Sequence, residues 1–292
     1  MDPKKKEEIL NDLLTFSKSK DYYKKVGKSW KRGYLLYGPP GTGKSSMIAA
    51  MANLLEYDIY DLELASVKDN TDLRKLLIET SSKSMIVIED IDCSLDLTGK
   101  RKEKHEDDKE DEKDPTKKME KMAKKKDKES EVTLSGLLNF IDGLWSACGS
   151  ERLIVFTTNH IEKLDPALIR RGRMDKHIEM SYCCFETFKV LAKNYLDVET
   201  HELFPTIGRL LGETNMTPAD VAESLMPKSN EECVEVCLNK VIKSLESAKE
   251  EARLKSVEDD MNKCKVEAVG EKSEVNNDQK VEESDESSDS KD

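Results

Sequence analysis

The sequence predicts an α/β fold, a parallel sheet flanked by helices and followed by a small helical lid. Three observations carry this expectation. Short runs that are almost wholly apolar, such as Ser84-Met85-Ile86-Val87-Ile88, suit strands buried on both faces. These runs alternate with segments whose apolar residues recur at helical spacing. From about Phe185 to Met226 the pattern is helical alone.

Taken in order, Ile9, Leu10, Leu13 and Leu14 place an amphipathic helix over about Lys4 to Ser19. Gly33-Tyr34-Leu35-Leu36-Tyr37 reads as a first strand, and Ser46 to Ala52 as a good helix after it. Tyr57 to Leu64 reads as a second strand, Thr71 to Thr80 as a helix, and Ser84 to Ile88 as a third strand. Leu134, Leu137, Leu138, Ile141, Leu144 and Trp145 again fall at helical spacing. Arg152 to Thr158 is a fourth strand and Lys176 to Met180 a fifth. No internal repeat is evident.

The chain has 292 residues, room for a sizeable core. Two segments are too polar to join one. The first runs from about Gly99 to Ser130 and is mostly Lys, Arg, Asp and Glu; the second runs from about Ser247 to the acidic end at Asp292. Neither buries enough apolar surface to offset the entropy of ordering, so both are expected to be solvated or disordered. The expected division is a helical linker (1–30), an α/β core (31–183) interrupted by the charged insertion (99–130), a helical lid (184–228), and a C-terminal helix with an acidic tail (229–292). The net charge of −12 argues against a general nucleic-acid binder. Seven cysteines form no CxxC pair and have no His at zinc-ligand spacing, which fits reduced thiols. No apolar run approaches the ~18 residues of a membrane span, so the chain reads as soluble.

The most specific motif is Gly38-Pro39-Pro40-Gly41-Thr42-Gly43-Lys44-Ser45, which matches GxxxxGK[ST] between a strand and a helix and is followed by Ser46. The glycines let backbone N–H groups turn inward around a phosphate. Lys44 brings a point charge, Ser45 supplies a hydroxyl for Mg²⁺, and the helix N-terminus adds its dipole. In Ile86-Val87-Ile88-Glu89-Asp90-Ile91-Asp92 the acids stand at the C-terminal end of a buried strand, where open α/β sheets bind ligands. One acid there can hold Mg²⁺ and another can polarise the attacking water, since phosphoryl transfer needs positioning above all.

These motifs, with Lys31 to Tyr37 and Leu134-Ser135-Gly136-Leu137-Leu138-Asn139-Phe140-Ile141-Asp142-Gly143-Leu144-Trp145, resemble the AAA ATPase family. Within it the chain is similar to the plant branch related to the mitochondrial chaperone that assembles the cytochrome bc complex. The resemblance covers about Met1 to Lys228 apart from the insertion. It implies a P-loop NTPase core with a lid, binding of ATP and Mg²⁺, and ATP hydrolysis. Glu89 would then be the metal-side acid and Asp90 the water-polarising one, in the inverted order of that branch. Asn159, at the end of the fourth strand, would be the first sensor of the γ-phosphate. In Leu164 to Asp175 the family pattern puts arginine fingers at Arg170 and Arg173, with Arg171 not carried over. Fingers acting in trans imply a head-to-tail homo-oligomeric ring and a protein client.

Departures from the family pattern bear on the client and the organelle. The segment Ala65 to Asp72 carries no aromatic residue where many AAA rings grip unfolded chains. Thr217-Pro218-Ala219-Asp220 stands where some relatives carry a sensor arginine. The family's N-terminal membrane anchor, which would imply mitochondrial or endoplasmic-reticulum association, is expected to be missing, since Met1 falls at the edge of the module. A guanine-reading NKxD motif is absent from the sequence, and a small-molecule kinase would not need Asn159, Arg170 and Arg173. The alternative of another class is an ATP-binding scaffold with little turnover.

Overall fold

A computed structural model describes residues 1–93, 134–142, 151–229 and 232–278, with side chains to residue 257 other than those of residues 77, 134 and 135. The expected charged insertion, Gly143 to Trp145 and the acidic end lie outside the described residues. The chain divides into two compact units. One comprises Met1–Leu191 and Thr217–Glu223, and the other Ala192–Met216 and Ser224–Asp292.

The first unit holds a five-stranded sheet of β1 (Lys31–Tyr37), β2 (Asp58–Asp61), β3 (Ser84–Ile88), β4 (Arg152–Thr158) and β5 (Lys176–Glu179). The strands lie in the order 2-3-4-1-5 and every pair is parallel. Around them run α1 (Pro3–Ser17), α2 (Lys20–Lys25), α3 (Lys44–Leu55), α4 (Asn70–Glu79), α5 (Leu134–Asp142) and the single turn α6 (Pro166–Ile169). The α/β expectation holds. Strand side chains alternate between two cores, as the pleat requires. Leu35, Ile86, Ile88, Ile154 and Phe156 face Leu73 of α4 and Leu137, Phe140 and Ile141 of α5. Tyr34, Leu36, Met85, Val87, Leu153 and Val155 face Ile9, Leu13 and Phe16 of α1 and Ile48, Met51 and Leu55 of α3. Burial on both faces is why these strands read as continuous apolar runs.

Two boundaries differ from expectation for physical reasons. β1 starts at Lys31 because its two leading charges find carboxylates. Arg32 Nη2 donates to Asp12 Oδ1 at 2.5 Å, and Lys31 lies 3.9 Å from Asp142. The second strand ends at Asp61, not Leu64. Leu62 still donates to Val87 O at 2.8 Å, but Leu64–Ser66 then turn as a 3-10 helix that buries Leu64.

α7 (Phe185–Leu196) and α9 (Pro218–Leu225) each cross the boundary between the units. In the second unit α8 (Phe204–Glu213) packs on α10 (Val234–Asp278), burying Phe204, Ile207 and Leu210 beside Cys237, Leu238, Val241 and Leu245. The polar stretch from Ser247, expected to be solvated or disordered, continues α10 as helix to Asp278. Residues 251–257 are exposed, so this stretch is a solvated helix rich in Glu, Lys and Ala, all good helix formers. Cys93, Cys183, Cys184, Cys233 and Cys237 are free thiols. Among the described residues no helix is long and apolar enough to cross a membrane.

Asp12 fastens α1 to the sheet: beside its bond to Arg32 it accepts from the Tyr34 hydroxyl at 2.5 Å. Burial, and then the bond to this carboxylate, push the Tyr34 phenol well above its ordinary pKa. Asp12→Ala strands the buried Tyr34 hydroxyl and takes from the part-buried Arg32 guanidinium its carboxylate partner. Urea denaturation is expected to show a loss of about 1–3 kcal/mol, with the m-value unchanged.

Candidate active site

Parallel pairing sets the C-terminal ends of β1, β3 and β4 side by side. Gly38, directly after β1, donates its N–H to Thr158 O of β4 at 3.3 Å. It adopts φ +137, and a Cβ there would lie 1.9 Å from Met180 O, so only glycine fits between β1 and the chain leaving β5. The loop then runs into α3. Gly43 caps this helix without a side-chain bond, and no acid lies in the first turn. The first-turn N–H groups are therefore left for an anion, the arrangement that a phosphate requires.

Lys44, Ser45, Glu89, Asp90 and Asn159 are brought together. The Lys44 ammonium donates to Gly38 O at 2.9 Å, Pro39 O at 3.1 Å and Asn159 Oδ1 at 2.7 Å. Burial lowers its pKa, while the nearby Asp90, Asp92 and Glu89 carboxylates oppose that shift. The other end of the Asn159 amide donates to Asp90 Oδ1 at 3.3 Å, which orients the amide between cation and acid. Ser45 Oγ donates to Glu89 Oε1 at 3.0 Å, and both residues are exposed. A hydroxyl and a carboxylate are hard oxygen donors that fit Mg²⁺, which keeps several waters of its own. Among the described residues there is no cluster of three His, Cys, Asp or Glu shaped for a metal.

Asp90 sits in the left-handed region at φ 46. Such a conformation costs of order 1–3 kcal/mol and persists only where neighbours over-determine it. Here Asp90 N–H donates to Thr157 Oγ1 at 3.0 Å, Ile91 N–H to Thr157 O at 3.0 Å, and Cys93 N–H to Asp90 O at 2.9 Å. Thr157 was not marked by the sequence, since a threonine within an apolar strand looks like any other strand residue. Pro39 and Pro40 lie in the loop, Thr42 is buried with its hydroxyl on Pro39 O at 2.8 Å, and Ser46 is exposed on the first turn of α3. Gly41 meets the Thr217 segment: Ala219 N–H donates to Gly41 O at 3.2 Å.

Arg170 and Arg173 form a separate cluster. Both guanidinium groups reach Asp142, Arg173 Nε at 2.5 Å and Arg170 Nη2 at 3.2 Å. Arg173 also donates to Ala167 O and is buried, whereas the Arg170 side chain is 61% exposed. Asp175 fixes the turn to β1, accepting from Gly33 N at 3.1 Å and Gly172 N at 2.9 Å. Gly33 leaves no room for a Cβ, which would come within 1.6 Å of Arg173 O. The arginines thus stand at the start of β1 and the glycine-rich loop at its end, five residues or about 16 Å of strand apart. Asp142 was missed because nothing in the sequence links the end of α5 to a turn so far along the chain.

A parallel sheet with a P-loop between β1 and α3, two acids after β3 and an amide after β4 defines a P-loop nucleotide-binding protein. The family model for "ATPase family associated with various cellular activities (AAA)" matches residues 34–182, and an At3g28540-like AAA+ ATPase lid domain matches residues 183–258. The chain belongs to the AAA ATPase family. It is similar to three proteins of Arabidopsis thaliana. AAA-ATPase At3g28580 is 73% identical over 259 residues, covering 87% of this chain and 52% of the relative. AAA-ATPase At3g28510 is 69% identical over 253 residues, covering 87% and 48%. "AAA-ATPase ASD, mitochondrial" is 69% identical over 258 residues, covering 85% and 50%. The chain therefore spans about half the length of the curated relatives it matches.

Gly38→Ala tests the cradle. A backbone carbonyl cannot yield as a side-chain tip can, so the strand end must shift. A drop in stability of about 1–3 kcal/mol, read from the denaturation midpoint, is expected.

Proposed function

We propose that the chain binds ATP with Mg²⁺ and hydrolyses it as part of a homo-oligomeric ring that remodels or moves a protein client. The observation that carries this reading is the linked set Lys44–Asn159–Asp90 beside Ser45–Glu89. In it Gly38 to Gly43 and the N-terminus of α3 hold the phosphates. Lys44 neutralises the β- and γ-oxygens, and Asn159 senses the γ-phosphate without adding charge. Asp90 orients and polarises the attacking water. Ser45 and Glu89 would hold Mg²⁺, which spreads the developing negative charge.

Arg170 and Arg173 support hydrolysis across an interface. They stand at the opposite end of β1 from their own P-loop, so the phosphate they serve belongs to a neighbouring chain. Both rest on Asp142 here, and Arg170, the more exposed, is the one with less to leave. The loop after β2 supports a client that is not threaded through it, because Val67 packs against the core and presents no aromatic side chain. A relative named mitochondrial supports placing the chain in that organelle.

Turnover per chain, measured across a wide range of protein concentration, should rise steeply and then saturate. A rate near zero at every concentration, with ATP still bound, would favour the scaffold reading instead. Arg170→Ala should lower saturated turnover by about 10³-fold while leaving the affinity of the dilute chain for ATP unchanged; equilibrium binding and phosphate release separate the two. Asp90→Asn should keep ATP affinity and lose about 10²-fold or more in turnover. Near-normal phosphate release from that variant would remove Asp90 from the water-activating role.

A further inference from the structure

Beyond its field at Lys44, Asp92 has no role in the chemistry described so far, yet it is buried, 9% exposed. Its Oδ1 accepts two bonds from the end of β4, one from Thr158 Oγ1 at 2.7 Å and one from Asn159 N–H at 3.2 Å. Thr158 Oγ1 in turn accepts from His160 N–H at 3.0 Å. Three consecutive residues of the β4 exit are therefore tied to one carboxylate that emerges from the neighbouring strand β3. The strand ends at Thr158, and beyond it the Asn159 N–H is held by this carboxylate.

We infer that Asp92 is a positioning residue for nucleotide sensing: by holding Thr158 and the Asn159 backbone it fixes the Asn159 amide between Lys44 and Asp90, and so sets discrimination between ATP and ADP. This rests on the reading of Asn159 as the group that meets the γ-phosphate. Neither Thr158 nor Asp92 touches the nucleotide in this scheme. The carboxylate acts as an acceptor, and its two hydrogen bonds from β4 are what a neutral isostere can keep and a truncated side chain cannot. A displacement of about 1 Å at a reacting group can cost roughly 10²-fold in rate, so a buried acceptor one residue removed has leverage on the chemistry.

The test compares equilibrium affinities for ATP·Mg²⁺ and ADP·Mg²⁺ in the full chain. Asp92→Ala should reduce the ATP-over-ADP preference by about tenfold, the scale of a lost hydrogen bond to a charged group, and should match Asn159→Ala. Combining the two should add nothing further, because both remove the same interaction. Asp92→Asn retains the acceptor oxygen and should keep the preference within about threefold of the wild type. A role confined to folding lowers both affinities alike and leaves the ratio unchanged, which overturns the inference. So does an Asp92→Asn variant as defective as Asp92→Ala, which would assign the effect to charge, or an Asp92→Ala effect that multiplies with Asn159→Ala. Should Asp92→Ala fail to fold, Thr158→Val removes one of the two donors in its place. Its ratio should fall and add nothing in the Asn159→Ala background, and an unchanged ratio again overturns the role. A wild-type chain that binds no ATP defeats the functional reading itself, whereas tight wild-type binding with unchanged ratios in the variants defeats only the role of Asp92.

Discussion

The structure depends on the parallel pairing of β1 with β4. Seven residues of each strand are in register, from Lys31 with Arg152 to Tyr37 with Thr158, and both strands are buried on two faces. That register decides where the chemistry sits. It brings Gly38 and Asn159 out of the sheet at the same level, and β3, paired to the other side of β4, delivers Glu89 and Asp90 beside them. A slip of one residue would turn every inward side chain to the other core and carry the Asn159 amide away from Lys44. The apolar faces that fix the register therefore also fix the distances between polar groups that share no apolar contact.

The two ends of the sheet are treated differently. At the C-terminal end the backbone bends into glycine turns and a left-handed aspartate, and polar side chains are left facing outward. At the N-terminal end charged side chains gather on two carboxylates: Arg32 on Asp12, and Arg170 and Arg173 on Asp142. Gly33 and Asp175 bind the arginine turn to the same strand that carries the P-loop, so one strand joins the two ends.

Much of this was legible in the sequence, and for definable reasons. Strands such as Ser84–Ile88 and Arg152–Thr158 showed themselves because double burial leaves no polar position to blur the run. Lys44, Ser45 and the acids after β3 were visible because a phosphate loop forces residue types at fixed local spacing. What stayed hidden is nonlocal. The pairing of Asp142 with Arg173 and the hold of Thr157 on Asp90 join residues dozens of positions apart, and neither leaves a local pattern. The helical extension of α10 past Ser247 was hidden for another reason. Low apolar content argues against burial, but it does not argue against a solvated helix of strong helix formers.

The backbone at Asp90 also bears on which acids can occupy positions 89 and 90. A positive φ is tolerated by glycine, asparagine and aspartate far better than by longer side chains. Glutamate at 90 would add strain to the turn, and aspartate at 89 would fall one methylene short of the Ser45 hydroxyl, which Glu89 meets at 3.0 Å. The order of the two acids, Glu89 and then Asp90, is thus matched to the shape of the chain. Interchanging them is not a neutral swap of two carboxylates, because each side-chain length answers to a different part of the backbone.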